Sequence, residues 1–232
     1  MMTNIGKGSF FQADCFDIMK QMPDACVDLI LTDPPYGMKF NSNYRKIKHK
    51  KIENDDNLDW LSEFVKECYR ISKENSAGYI FCSFHFIDIF KYEFEQLFKI
   101  KNILVWEKNN TSMGDLKGDF APKVEFVIFI QKGRVEIKGK RDPNIFKFAR
   151  TGNELHPTQK PVDMFEYLIG KFSNENDLVF DAFAGSGTTA IACENTNRRW
   201  VCIEKDDEYA AKAIQRIKDH TSRLSGESRT VD

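Results

Sequence analysis

Short apolar runs alternate with longer amphipathic stretches along the chain. Six runs rich in branched and aromatic residues have the length of buried strands: 27–31, 78–83, 103–107, 125–131, 178–181 and 200–204. The stretches between them predict helices over 59–72, 162–172, 188–195 and 209–224. Strands that alternate with helices predict an α/β fold, in which helices cover both faces of a mostly parallel sheet.

Two regions interrupt this alternation and carry much of the local charge. Residues 38–58 are polar and basic, and residues 108–154 include a stretch rich in Gly, Asn and Asp and a cationic stretch. We interpret both regions as excursions from a single domain that spans 1–224. The last residues, 225–232, predict a disordered tail.

The composition indicates a folded protein but does not decide its partners. Hydrophobic residues make up 41% of the 232 residues, and Lys plus Arg (34) nearly balance Asp plus Glu (35), so local charge must decide whether nucleic acid binds. Six cysteines without a C-x-x-C pair predict buried free thiols, and the four histidines have no metal-ligand spacing. Without a signal-peptide core, or an apolar run of the roughly 18 residues that span a membrane, we expect a cytoplasmic protein.

A glycine-rich loop follows the fifth predicted strand, in LVFDAFAGSGTTAIACENTNRRWVCIE (178–204). A strand ends at Asp181, a loop carries Gly185 and Gly187, a helix follows, and a second strand ends at Glu204. Glycines let the backbone approach a ligand, the helix start offers free N–H groups, and an acid about 20 residues further on can accept hydrogen bonds from ribose hydroxyls. The pattern predicts a nucleoside-bearing ligand.

This loop alone does not separate a nicotinamide cofactor from S-adenosylmethionine (SAM). Both ligands present an adenosine ribose. Only about 45 residues follow the loop, so a dinucleotide site would need a second βαβ half from the N-terminal part of the chain, in a permuted order.

The sequence LILTDPPYGMKF (29–40) ends another apolar strand on a carboxylate, two prolines and an aromatic ring. Ligands of open α/β sheets bind beyond the carboxyl ends of the strands, where Asp33 falls. Pro34 and Pro35 have no N–H groups, so nearby carbonyls stay available as acceptors, and Tyr36 offers a flat ring. These residues predict a slot for a planar group with an amino donor, such as a nucleobase.

The order of these motifs resembles that of the β class of amino-methylating DNA methyltransferases, in which the D-P-P-Y segment precedes the glycine loop. Similar segments are QADCFDIMKQMPDACVDLILTDPPYG at the catalytic motif, NILVWEKNN at the W-x-K segment, HPTQKPVDMFEYLI before the glycine loop, and DAFAGSGTTAIA at the loop itself. The resemblance covers most of the chain. It implies a Rossmann-like methyltransferase fold with a circularly permuted motif order, SAM as cofactor and double-stranded DNA as partner.

The resemblance also implies roles for individual residues. Asp33, Pro34 and Pro35 would form the catalytic slot for the target amino group, and Tyr36 would stack on the base. The residues implied to bind SAM are Asp14 and Cys15 near its adenine, Glu204 at its ribose, His156, Thr158 and Lys160 at its methionine end, and Asp33, Asp181, Phe183, Gly185, Ser186, Gly187 and Thr188 around the glycine loop.

The expected reaction is methyl transfer to N6 of an adenine that is flipped out of a short specific DNA site. An aromatic amino group is a poor nucleophile, and acceptors on both of its N–H groups would draw the nitrogen toward tetrahedral geometry. Within the family, Asp before Pro-Pro-Tyr favours adenine over cytosine. N4-cytosine methylation is the nearest alternative, and a nicotinamide-dependent oxidoreductase and a non-catalytic DNA-binding module are further ones.

Two basic segments predict phosphate contacts. One is RKIKHKK (45–51), and the other runs from 132 to 150, where seven basic residues accompany two acids. The individual candidates are Arg45, Lys46, Lys48, Lys50, Lys51, Lys138, Lys140 and Arg141. Analogy with the family adds two expectations, a homodimer and a cognate restriction endonuclease.

Overall fold

The computed structural model describes residues 1–35, 58–111, 117–151 and 159–227. Within these ranges the chain forms nine strands and six helices. The elements are β1 (Met2–Ile5), β2 (Gly8–Gln12), α1 (Cys15–Met19), β3 (Val27–Thr32), α2 (Leu61–Ile71), β4 (Ser72–Cys82), α3 (Ile87–Glu95), β5 (Lys99–Glu107), β6 (Val124–Lys132), β7 (Ile145–Lys147), α4 (Val162–Phe172), β8 (Leu178–Asp181), α5 (Thr188–Asn195), β9 (Arg199–Glu204) and α6 (Asp207–Glu227).

All strands belong to one sheet, in the order β1-β2-β9-β8-β3-β4-β6-β5-β7. The strands from β2 to β4 in this order are parallel to one another, and β7 is parallel to β5. β1 pairs antiparallel with β2, and β6 runs antiparallel between β4 and β5. The predicted α/β fold with a mostly parallel sheet is therefore confirmed.

Helices cover both faces of the sheet because alternate side chains of each strand point to opposite sides. Leu29 and Leu31 of β3 pack with apolar residues of α4, α5 and α6. Ile30 packs on the other face, with apolar residues of α1, α2 and α3. The buried Phe64 and Phe165 anchor α2 and α4 on these two faces.

The strand order reverses direction between β8 and β3. From β8 the chain continues to β9 on one side, and from β3 it continues to β4 on the other. Leu29 pairs with Val179, and Ile30 pairs with Phe180, so the two strands are direct parallel neighbours. A reversal of this kind opens a crevice beyond the carboxyl ends of the strands, here called the carboxyl edge; the opposite side is the amino edge. Since β3 comes before β8 in the chain, the motif order is permuted.

Several elements differ from the sequence prediction. Each predicted strand and helix has a counterpart, but the β1–β2 hairpin, α1, α3 and β7 were not predicted. The predicted disordered tail, 225–232, is helical over its first three residues because α6 extends to Glu227. There the hydroxyl of Ser225 donates to the carbonyl of Thr221 (3.0 Å), as in a continuing helix. The first predicted excursion, 38–58, lies outside the described residues except for Leu58.

All six cysteines are free thiols, and five of them are buried. Among the described helices none is both long and apolar enough to cross a membrane. In the same part of the chain, no group of three or more His, Cys, Asp and Glu side chains could hold a metal ion.

Candidate active site

Asp33 and the glycine loop lie side by side at the carboxyl edge. β3 ends at Thr32, whose hydroxyl donates to Oδ1 of Asp181 at the end of β8 (2.8 Å), across 149 residues of chain. Both side chains are buried. The D-P-P segment and the glycine loop, which are far apart in sequence, therefore flank one crevice.

Asp181 organises the start of the glycine loop. Besides the bond from Thr32, it accepts hydrogen bonds from the hydroxyl of Thr189 (2.5 Å) and from the N–H of Phe183 (3.1 Å). Burial raises the pKa of Asp181 to about 6, although these hydrogen bonds oppose the shift. This carboxylate therefore supports the loop through three hydrogen bonds within the protein, and its contact with a cofactor stays a prediction.

The loop has the backbone shape that only glycine adopts readily. Gly185 and Gly187 have φ values of +49° and +76°, in the left-handed region. A Cβ on Gly187 would lie 2.9 Å from Cδ1 of Ile217, so a larger residue would also require the Ile217 side chain to shift. From α6, Nη1 of Arg216 donates to the carbonyl of Ser186 (2.9 Å) and lies 3.3 Å from the hydroxyl of Thr188. Arg216 thus supports the loop from the side of α6.

Glu204 lies at the end of β9, beside the glycine loop. Its Oε2 accepts from the N–H of Gly185 (2.9 Å) and its Oε1 from the N–H of Asp206 (2.9 Å). Burial raises the pKa of Glu204. Each carboxylate oxygen has a second lone pair, so Glu204 can still accept hydrogen bonds from two ribose hydroxyls.

Asp14 and Cys15 lie next to this carboxylate. β2 pairs with β9 so that Gln12 is opposite Glu204. Asp14 lies two residues further on as the N-cap of α1, where it accepts from the N–H of Phe16 (3.0 Å). Burial, and then the charge of Asp14, raise the pKa of Cys15 to about 12. The thiol is therefore neutral, and it offers an apolar contact rather than a nucleophile.

Phe183 fastens the loop to the other face of the sheet. Its ring lies 5.7 Å from the ring of Trp60 and 5.4 Å from that of Phe64, measured between centroids. Both partners belong to the start of α2. Phe183 is only partly buried, and its contact with a cofactor stays a prediction.

Lys160 connects Asp33 with the glycine loop. Its ammonium lies 2.7 Å from Oδ2 of Asp33 and 2.9 Å from Oε2 of Glu125, and its carbonyl accepts from the hydroxyl of Thr188 (3.3 Å). The ammonium also lies 5.1 Å from the centre of the Phe81 ring. Lys160 is 7% exposed, so a buried cation stands between two carboxylates.

The pKa values of these groups shift with their surroundings. Burial disfavours the charged form of Lys160, but the attraction of Asp33 and then Glu125 outweighs it and leaves its pKa raised. Burial raises the pKa of Asp33, with Lys160 opposing and Glu125 adding to the rise. Burial would also raise the pKa of Glu125, but Lys160 and Lys108 together lower it.

Three residues of the site were not predicted from the sequence. Glu125 lies in a run that was interpreted only as a strand, and Arg216 lies on a polar helix. Lys108 belongs to the W-x-K segment, which was the single sequence signal for it. Its side chain is 7% exposed, and its ammonium lies 3.4 Å from Oε1 of Glu125.

The structure separates part of the predicted DNA surface from the site. Lys138 donates to the carbonyl of Ser173 (2.9 Å) and to the side chain of Asn174, and Lys171 donates to the carbonyl of Lys140 (2.9 Å). These partners lie at the C-terminal end of α4, which begins beside Lys160 and ends about 16 Å away at the amino edge. Lys138, Lys140 and the adjoining Arg141 are thus remote from Asp33, because the segment after β6 starts at the opposite edge.

Other predicted residues lie outside the described part of the chain. They are Tyr36, Arg45, Lys46, Lys48, Lys50, Lys51, His156 and Thr158. Pro34 and Pro35 are described, and they follow Asp33 at the carboxyl edge, with Pro34 buried.

The fold and the site define a class of enzyme: an α/β protein with a nucleoside pocket beside a D-P-P carboxylate, in permuted order. Residues 27–215 match the profile of the family described as DNA methylase, so the chain belongs to this N6/N4 DNA methyltransferase family. Its members use SAM as the methyl donor, and the resemblance inferred from the motifs is confirmed.

Relatives match over most of their length. YubD, a candidate methylase of Escherichia coli (strain K12), is 33% identical over 209 residues, which cover 90% of this chain and 89% of YubD. The DNA adenine methyltransferase YhdJ of the same organism is 27% identical, over 94% of this chain and 85% of YhdJ. The crystal structure of the M1.HpyAVI–SAM complex is 27% identical, with a TM-score of 0.70, and the match covers 90% of this chain and 98% of that one.

The residues of the site fit SAM. The backbone of the glycine loop and Glu204 suit an adenosine ribose, as described above. Among the described residues, Oε1 of Gln159 is a buried side-chain oxygen without a hydrogen-bond partner. It adjoins Lys160, on the side where the methionine end is expected, and a buried acceptor of this kind suits an ammonium donor. The Gln159 amide oxygen is therefore an acceptor that an ammonium group of the cofactor could satisfy.

Proposed function

We propose that this protein transfers a methyl group from SAM to N6 of an adenine that is flipped out of double-stranded DNA. The observation that carries the proposal is the contact between the two halves of the site. Lys160 binds Asp33 through its ammonium (2.7 Å) and the loop residue Thr188 through its carbonyl (3.3 Å). A methyl donor on the glycine loop and an amino group at Asp33 would then share one crevice.

The chain's own residues would position the amino group and stabilise the charge that develops on it. SAM supplies an electrophilic methyl group on a sulfonium; transfer forms a nitrogen–carbon bond, breaks the sulfur–carbon bond and releases a proton from the nitrogen. Asp33 would accept a hydrogen bond from the amino group, and the Pro34 carbonyl would accept the second. A carboxylate has about four acceptor positions, so Asp33 can bind Lys160 and the amino group at the same time. Positioning and electrostatics would provide most of the acceleration.

Adenine is favoured over cytosine by two observations. Asp33 precedes Pro-Pro-Tyr, which in the family pattern accompanies adenine, and the relative YhdJ is a DNA adenine methyltransferase at 27% identity. The solved PvuII methyltransferase is cytosine-N4-specific, but at 19% identity its likeness concerns the fold alone. N4-cytosine methylation remains the second candidate.

The DNA would bind across the carboxyl edge. An amino group inside a duplex cannot reach Asp33, so the base must leave the stack, and Tyr36 remains our candidate for stacking on it. Exposed cations at this edge include Lys123, which precedes β6, and Lys147, which ends β7, both on the same side as Asp33. The segment 45–51 also remains a candidate for phosphate contacts. A homodimer and a cognate restriction endonuclease stay predictions from the family analogy.

The experiment compares the wild type with Asp33→Ala. DNA from cells that express each protein is sequenced for modified bases, and purified protein is assayed with labelled SAM. We expect N6-methyladenine at one short site with the wild type. In the variant, transfer should fall by about 10²–10³-fold or more, the scale of losing one polar contact to the reacting group. SAM affinity, measured by calorimetry, should change little.

A matched control is Asp28→Asn, which changes an aspartate at the other end of the same strand. Asp28 pairs with Lys73 (2.7 Å) and accepts from the N–H of Leu178 (2.9 Å), at the amino edge. This variant should retain transfer. Activity retained by Asp33→Ala would contradict the mechanism, and N4-methylcytosine in the DNA would favour the second candidate.

A further inference from the structure

Four charged side chains of alternating sign form a chain that leads away from the crevice. In order they are Asp33, Lys160, Glu125 and Lys108, and the successive nitrogen–oxygen distances are 2.7, 2.9 and 3.4 Å. The side chains of both lysines are 7% exposed, and those of the carboxylates are 16% (Asp33) and 30% (Glu125) exposed. We call this set the charge chain.

The charge chain is assembled from separate elements. Lys108 follows β5, Glu125 lies on β6, Lys160 precedes α4 and Asp33 follows β3. A buried lysine costs stability unless it is paired, and an apolar pair would fill the space more cheaply. Two buried lysines at the carboxyl edge therefore indicate a function beyond packing.

We propose that Glu125 and Lys108 are positioning residues for the methyl transfer, which hold Lys160 and set how strongly it neutralises Asp33. This inference rests on the proposed function, since it assigns Asp33 to the target amino group. Glu125 and Asp33 both bind the ammonium of Lys160, and Lys108 in turn binds the carboxylate of Glu125. The hydrogen-bond strength of Asp33 is thus set by residues that do not touch the substrate.

Coulomb's law gives the sign of each contribution. The negative charge of Glu125 disfavours the ionised form of Asp33 and so strengthens it as a base, while the positive charge of Lys108 does the reverse. Among the described residues, the other titratable groups that act on Asp33 are Cys82, at the end of β4, and Asp181, at the end of β8. Neither belongs to the charge chain, so substitutions of Glu125 and Lys108 leave both of these groups in place.

Two variants with opposite expected effects test the proposal. Glu125→Gln removes a negative charge, so Lys160 binds Asp33 alone; the pKa of Asp33 should fall by about one unit and kcat about 10-fold. Lys108→Met removes a positive charge, so the pKa of Asp33 should rise. The pKa is read from the ¹³C carboxyl resonance of Asp33 in the full-length protein without DNA or cofactor, assigned with Asp33→Asn. The acid limb of the kcat profile should shift in the same direction for each variant.

The control is Glu67→Gln, which removes a partly buried carboxylate that is paired with Arg70 (2.7 Å) on α2, away from the charge chain. It should leave the Asp33 resonance and kcat unchanged. Shifts of the same sign in Glu125→Gln and Lys108→Met, or none in either, would overturn the proposal. Because the resonance is measured without substrate, such a result is distinct from a failure of the proposed function, which Asp33→Ala tests. Should one variant not fold, the sign of the shift in the other still decides.

Discussion

At the scale of single residues, the carboxylate of Asp181 joins the two halves of the site without taking part in the chemistry. It accepts from Thr32 at the end of β3 and from Thr189 in α5, so it ties the D-P-P strand to the helix after the glycine loop. Its ionised form is disfavoured by burial, which means that it performs this task at some cost in stability near neutral pH.

The pH dependence of stability should reveal this cost. Because the pKa of Asp181 is raised from 3.8 to about 6, its contribution to stability is fully present below about pH 4 and is lost as the pH rises through 6. Asp181→Asn does not titrate, so relative to the wild type it should gain about 2 kcal/mol of unfolding free energy between pH 4 and pH 7. Urea unfolding at several pH values measures the difference. A difference that does not change with pH would mean that burial does not raise this pKa.

At the scale of elements, the glycine loop depends on a helix that no sequence pattern connects with it. α6 is mostly polar, yet Arg216 reaches the back of the loop and donates to the carbonyl of Ser186. Burial lowers the pKa of Arg216 from its very high ordinary value, and the guanidinium stays charged. The shape of the cofactor loop is therefore shared between its own glycines and a distant helix.

Replacing this guanidinium should loosen the loop. In Arg216→Met the carbonyl of Ser186 loses its donor, and a buried unsatisfied acceptor costs about 1–3 kcal/mol. We expect a lower melting temperature and SAM binding weakened about 10-fold or more, measured by calorimetry. Lys218→Met also replaces a cation with methionine, at an exposed position of the same helix. Equal SAM affinities in the two variants would show that Arg216 does not support the loop.

The elements also show which parts of the structure a sequence can predict. The apolar runs of β3, β6 and β8 have a strong signal, and the motifs at their ends point to Asp33 and the glycine loop, which the structure places side by side. β7 has only three residues and exists because its backbone pairs with β5, which no local pattern encodes. The place of Glu125 in the site could not be predicted for a related reason. A carboxylate in a strand acquires its role from the two lysines that the fold brings to it.

At the scale of the whole molecule, the two edges of the sheet carry different groups of predicted site residues. The carboxyl edge carries Asp33, the glycine loop and the exposed Lys147, while Lys138 and Lys140 lie with the end of α4 at the amino edge. A basic segment in the sequence is therefore not one surface in space. The net charge of -1 conceals this division.

Salt dependence should distinguish the edges. If DNA lies on the carboxyl edge, Lys147→Ala should weaken DNA binding and reduce the slope of log affinity against log salt by about one, as expected for the loss of one phosphate contact. Lys140→Ala, the matched change at the amino edge, should leave the slope unchanged. Fluorescence anisotropy over a range of salt concentrations measures both. A larger effect from Lys140→Ala would instead put the DNA at the amino edge.

The pairing of β3 with β8 has a consequence for how the protein is made. The residues that join these strands, Thr32 and Asp181, are 149 positions apart. At about 5–20 residues per second, a ribosome takes on the order of 10 s to supply the second strand after the first. During that interval the apolar edge of β3 has no neighbour on one side, which exposes it to aggregation. The site is complete only after β8 and the glycine loop have been synthesised, so translation itself delays the first methylation.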